Sequence, residues 1–133
     1  MRQLLLILAC CVGLAGPAQA QSDEIEAVIN DQIKAFLADD FARAFTFASP
    51  TIRNIFGTPE KFGAMVRNGY PMVWRPAGIR YLGLEARGGD LWQLVQVTDQ
   101  QGRAHLLAYQ MVNLESGWKI NAVQILETPP PSV

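Results

Sequence analysis

The spacing of apolar positions changes near the middle of the chain. From Ser22 to Ala38 they fall at Ile25, Val28, Ile29, Ile33, Phe36 and Leu37, with Glu24, Glu26, Asp31 and Lys34 mostly off that stripe. Steps of three and four predict one amphipathic helix, which Ser22 or Asp23 can cap. Asp39-Asp40 interrupts the pattern, and Phe41, Ala44, Phe45 and Ala48 resume it. A helical hairpin with aspartate at its joint is expected. Ser49-Pro50 and Thr58-Pro59 each set a capping hydroxyl before a proline suited to the first helical position. They start a helical turn over Thr51–Phe56 and a helix over Glu60–Arg67, whose face carries Phe62, Met65 and Val66 and which Asn68-Gly69 closes.

After Tyr70-Pro71 the period becomes two. Met72–Arg75, between two prolines, reads as a short edge strand. Gly78–Arg87, Asp90–Thr98, Arg103–Asn113 and Trp118–Leu126 read as consecutive antiparallel strands. Gly88-Gly89 is a two-residue hairpin signal, and the turns Asp99–Gly102 and Glu115–Gly117 each end in a glycine able to take positive φ. Helices first and a meander afterwards predict an α+β fold. The helices cover one face of a curved, mostly antiparallel sheet of four to five strands.

These turns imply a register. One face receives Leu82, Leu84, Leu91, Val95, Val97, Leu107, Met111, Val123 and Ile125, with Gln93, His105, Tyr109 and Asn121 among them. The other receives Ile79, Tyr81, Trp92, Leu94, Leu106, Val112, Trp118 and Ile120, with Gln96, Gln110 and Gln124. Neither face is polar enough to stand in water. The face the helices leave bare therefore predicts a homodimer.

Composition adds a compartment. Arg2, the apolar run Leu4–Leu14 and the small-x-small triplet Ala18-Gln19-Ala20 form a secretory signal peptide over residues 1–20. The apolar run is too short to cross ~30 Å of hydrocarbon, and lipidation at Cys10 or Cys11 would put the modified cysteine inside that run. The product is expected in the periplasm or secreted. Both cysteines leave with the signal, which excludes a disulfide scaffold, cysteine–zinc sites and a cysteine nucleophile. Residues 21–127 then form a single domain, and residues 128–133, with three consecutive prolines, a loose tail. A net charge of −1 without any Lys/Arg run gives no footprint for nucleic acid, and no long apolar segment after the signal suggests membrane insertion.

The hairpin with Asp39-Asp40 at its joint, Phe41–Ala48 after it and the closing run Ser116-Gly117-Trp118-Lys119-Ile120 resemble the nuclear-transport-factor-2-like, or cystatin-like, superfamily. That superfamily includes ketosteroid isomerases and polyketide cyclases. The chain looks most like a family of small exported bacterial proteins of unknown function within it, matching over Gln32–Phe36, Asp39–Pro50, Phe62–Tyr70 and Gly117–Val123. The resemblance implies a cone-like fold with a cavity between helices and sheet, and often a dimer.

Candidate chemistry is sparse. Tyr109, Asn121 and Gln93 are neighbours in the expected register and can line a pocket, with Tyr70 or Trp74 near its mouth. His105, the one histidine, can act as a base only if a carboxylate or carbonyl orients it, and spacing identifies none. Asp39 and Asp40 can supply a carboxylate, or cap the following helix and face solvent. Arg75 and Arg80 can meet an anion or remain solvated, and Trp92 and Trp118 can stack on a ligand or pack. No metal-ligand spacing, nucleophile elbow or nucleotide-binding loop is present, so no metal or cofactor is expected. The reading is an exported module that binds a small apolar or amphipathic ligand or serves dimeric interaction. The alternative is a cofactor-free isomerase, cyclase or hydratase with an Asp/Tyr or His/Tyr pair in the pocket.

Overall fold

A computed structural model describes residues 16–126. The apolar run Leu4–Leu14, both cysteines and the proline-rich tail lie outside the described residues. Five helices precede four strands: α1 (Pro17–Leu37), α2 (Phe41–Thr46), α3 (Pro50–Phe56), α4 (Pro59–Gly69), α5 (Pro71–Trp74), β1 (Gly78–Arg87), β2 (Asp90–Thr98), β3 (Ala104–Leu114) and β4 (Gly117–Leu126). The strands form one antiparallel meander in chain order, so the fold is α+β with helices against a sheet.

The predicted caps work as side-chain acceptors. Asp40 Oδ1 takes Arg43 N–H at 3.1 Å, Ser49 Oγ takes Ile52 N–H at 3.3 Å, and Thr58 Oγ1 takes Lys61 N–H at 3.2 Å. The hairpin glycines also behave as read, with φ of 57° and 83° at Gly88 and Gly89.

Three expectations need correction. First, α1 begins at Pro17 with Gly16 before it, so Ser22 and Asp23 lie inside the helix rather than capping it. Ala18 to Gln21 are competent helix formers, but Ala18 to Ala20 are exposed and Gln21 only half-buried, and the buried stripe starts only at Ile25. Hydrophobic period reveals only the part of a helix that packs. Second, Met72–Arg75 is not an edge strand. Pro71 occupies the first helical position, Val73 and Trp74 N–H bond Tyr70 O at 2.9 and 3.1 Å, and one turn buries Met72 and Val73.

Third, two β-bulges re-sort the faces. Leu82 is extra between the pairs Tyr81↔Val95 and Gly83↔Leu94, and Asn121 is extra between Gln110↔Ala122 and Met111↔Ile120. Each bulge reverses the alternation beyond it. Ile79, Tyr81, Trp118 and Ile120 therefore face the helices, and Tyr81 and Trp118 hydrogen-bond Asn30 and Glu24 of α1. Leu82 moves outward and is 46 % exposed.

The core lies between α1, which buries Ile25, Ile29, Ile33 and Phe36, and the sheet positions Val95, Val97, Leu107, Tyr109 and Met111. Phe62 of α4 joins the helices to each other, its ring 5.9 Å from Phe36, 5.4 Å from Phe45 and 5.8 Å from Phe56. The α2–α3 joint is stitched to β4 by Ser49 N–H to Ile120 O and Ile120 N–H to Phe47 O, 2.8 and 2.9 Å.

Gly63 lets α4 approach α2: a Cβ there would sit 2.5–2.9 Å from three ring atoms of Phe41. Gly63→Ala is expected to lower unfolding stability by about 1–3 kcal/mol, the usual range for overpacking. Urea denaturation measures this, and an unchanged midpoint would refute the tight α2–α4 contact.

Candidate functional site

Helices and sheet do not meet everywhere. Between α1, α3, α4, α5 and the β3–β4 surface lies a cavity of about 260 Å³. Its walls are Phe36, Ala48, Ile52, Phe56, Phe62, Met65, Val66, Val73, Ile120, Ala122 and Val123, and its polar members are Gln32, Tyr70 and Tyr109. Tyr70 donates its hydroxyl to Val123 O at 3.2 Å, and Gln32 Nε2 donates to Ala44 O at 3.2 Å. Tyr109 is different. It is fully buried, and its hydroxyl has no hydrogen-bond partner among the described residues.

Burial raises the Tyr109 pKa well above the usual phenol range, with smaller contributions from Tyr81 and Tyr70, so the group is a neutral donor. Gln93 sits opposite it in the β2–β3 register. Gln93 Nε2 donates to Gly83 O and Leu94 O, both at 3.0 Å, which orients the amide and leaves its buried Oε1 without a partner. An unpaired buried polar atom costs about 1–3 kcal/mol, so such atoms mark a place where something else belongs.

A second recess, of about 190 Å³, lies on the other side of α5. Val73 faces the first cavity, whereas Pro71, Met72 and Trp74 line the second with Arg75, Asp99, Gln100, Gln101, Arg103 and His105. Asp99 opens the β2–β3 turn and is only 6 % exposed. Its Oδ1 accepts Gln101 and Arg103 N–H, both at 2.9 Å, and its Oδ2 accepts Arg103 Nε at 3.1 Å and His105 Nε2 at 2.8 Å. The His105 hydrogen bond foremost, then those of Arg103 and Gln101, hold this carboxyl well below the usual carboxylate range against the opposing effect of burial.

Asp39, at the end of α1, completes the arrangement. It has φ 53°, and its carboxylate accepts Trp74 Nε1 and Arg75 Nη2 at 2.9 Å. The Trp74 hydrogen bond and then Arg75 lower its pKa. Arg75 also donates Nη1 to Phe36 O at 2.7 Å and lies 4.0 Å from the Trp74 ring centre.

The six pocket candidates are thus divided. Tyr109 and Tyr70 line the cavity, and His105 and Trp74 line the second recess. Gln93 lies beside Tyr109 but does not line the cavity wall. Asn121 occupies the β4 bulge, where Nδ2 donates to Gln110 Oε1 at 3.0 Å and Oδ1 accepts the Ser49 hydroxyl at 2.7 Å. It links the α3 cap to the sheet. Trp92 is buried on the outer face with Arg87 4.6 Å from its ring centre, and Asp40 caps α2. Sequence reasoning missed Asp99 as the partner of His105. The available signal was an aspartate opening a hairpin loop and a histidine just inside the returning strand.

The depressed carboxyl of Asp99 makes a pH prediction. Its contribution to stability is complete above the unfolded-state pKa and is lost as pH falls toward the lower folded value. Asp99→Asn should therefore be destabilising at pH 7, and its deficit should shrink between about pH 4 and about pH 2.5. Urea midpoints at several pH values test this. A deficit of constant size would remove the charge-based account.

Among the described residues no helix is long and apolar enough to cross a membrane. No match was found among curated proteins or among solved structures. A family profile described as a domain of unknown function, DUF4864, matches residues 18–133, which spans every strand and all but the first residue of α1. The chain belongs to that family.

Proposed function

We propose that this domain binds a small, mainly apolar molecule in the cavity between helices and sheet, with the Tyr109 hydroxyl donating to the ligand's polar end. The observation that carries this is a fully buried, unpartnered hydroxyl on the wall of an apolar cavity. About 260 Å³ lies just under the range of pockets for drug-sized ligands, which favours a smaller guest. No Asp, Glu, His, Lys or Arg lines it among the described residues, which favours a neutral guest bearing a carbonyl, ether or hydroxyl acceptor. The cavity-based isomerase, cyclase or hydratase needs a base facing the tyrosine. Among the described residues the lining offers a neutral donor and no such base, which favours binding.

The helix-against-sheet arrangement with an interior cavity supports placing the fold in the nuclear-transport-factor-2-like superfamily. We further propose export with cleavage after Ala20. Gly16 to Ala20, the described residues ahead of that site, are all exposed, which supports this reading. A second copy is proposed on the outer sheet face, where Leu82 is exposed and Leu94, Leu106 and Val112 are incompletely buried.

Native mass spectrometry of protein recovered from its export compartment tests the set together. The expected result is a dimer lacking residues 1–20 and carrying a neutral small molecule. Tyr109→Phe should lose that molecule while being at least as thermally stable as ligand-free wild type, because it deletes an unpaired buried donor. Retention of the molecule, with a stability loss of about 1 kcal/mol or more, would show that the hydroxyl has a structural partner and defeat the binding role.

A further inference from the structure

We propose that the recess beyond α5 is a separate general-base site, in which His105 Nδ1 takes a proton from water during hydrolysis of a small anionic ester held by Arg103. The argument begins with Asp99. A carboxylate that accepts two backbone N–H groups, a guanidinium N–H and an imidazole is ionised and can only accept. His105 Nε2 must therefore be the donor in their 2.8 Å bond. In the neutral ring this puts the lone pair on Nδ1, for which no hydrogen bond is found among the described residues. The side chain is 25 % exposed and lines the recess, so the base has access to a substrate.

The surroundings narrow the chemistry. The same imidazole arrangement serves metal ligation, but no group of three His, Cys, Asp or Glu suited to a metal occurs among the described residues. Among the described residues no Ser, Thr or Cys lines the recess, so they offer the base no hydroxyl or thiol to activate. Water is the remaining nucleophile. Arg103 spends its Nε on Asp99 while its side chain is 73 % exposed, leaving the outer nitrogens for a carboxylate or phosphate on the substrate. A volume of about 190 Å³ admits only a small molecule.

In the step, His105 Nδ1 accepts a proton from water as the water oxygen bonds to the acyl carbon. The tetrahedral adduct then breaks its bond to the alcohol oxygen, which leaves with the proton returned by the imidazolium. Ester and water become acid and alcohol, and the histidine is restored. Asp99 is a positioning residue that fixes the tautomer and stabilises the transient imidazolium.

The probes are 4-nitrophenyl acetate and its anionic counterpart, mono-4-nitrophenyl succinate, with the purified full domain. Wild type is expected to exceed an equal concentration of free imidazole by ~10-fold or more, and His105→Ala to fall to background. Arg103→Ala should lower the succinate rate several-fold more than the acetate rate in low salt, and that preference should fade as salt is added. Because Asp99→Asn can disturb the turn, ¹⁵N NMR of the wild-type imidazole gives an independent readout, with the proton expected on Nε2. A wild-type rate equal to that of His105→Ala or of free imidazole, a proton on Nδ1, or an acylated His105 in the mass spectrum would each overturn the assignment.

Discussion

The contact between Asp39 and Arg75 fixes the wall on which both recesses depend. α5 is a single turn without a side-chain cap, too short to hold its own position. Arg75 ties its end to both carboxylate oxygens of Asp39 and to Phe36 O, while Trp74 reaches the same carboxylate and Gln100 Nε2 donates to Arg75 O at 3.2 Å. An exposed ion pair alone would do little. Here the charges share one network with a backbone carbonyl of the core helix, and the left-handed φ at Asp39 turns its carboxylate toward that network. α5 is thereby held with Val73 toward the cavity and Met72 and Trp74 toward the second recess.

The sheet supplies the opposite wall, and its bulges decide what that wall contains. Without the extra residue at Asn121, Ile120 and Val123 could not both face the helices, since three residues of plain strand put them on opposite sides. The bulge places both on the cavity wall and frees Asn121 to meet Ser49 at the sheet margin. That bond, with the Ser49–Ile120 backbone contact, brings α3 and its Ile52 and Phe56 over the cavity. One inserted residue thus shapes the lining and anchors the helix that closes it.

What could be read in the sequence was local. Ser49, Thr58 and Asp40 cap because each sits three residues before a helix N–H it can reach, and Gly88-Gly89 makes a hairpin because the turn needs positive φ. The strand bounds follow from those turns. The bulges at Leu82 and Asn121 carry no such mark, since an extra residue looks like ordinary alternation until the partner strand is known. Pro71 did not discriminate: it suits an edge strand and a first helical turn equally, and the N–H bonds of Val73 and Trp74 to Tyr70 O make the turn. The split of the candidates was illegible for the same reason. Tyr109 and His105 are four residues apart on β3 and share its helix-facing side, but α5 crosses between their two recesses.

The contrast in polar satisfaction argues for two sites rather than one divided pocket. Asp99 has partners for both oxygens, so its carboxylate is fixed and the ring it holds presents one defined nitrogen. Tyr109 and Gln93 each keep a buried polar atom unpaired among the described residues although they are register partners on adjacent strands. Gln93 is committed through Nε2 to the β1 bulge and its own strand, which prevents the amide from turning to satisfy both ends. The bulge at Leu82 presents Gly83 O to the Gln93 amide, which stays on the sheet while the Tyr109 hydroxyl keeps no partner among the described residues.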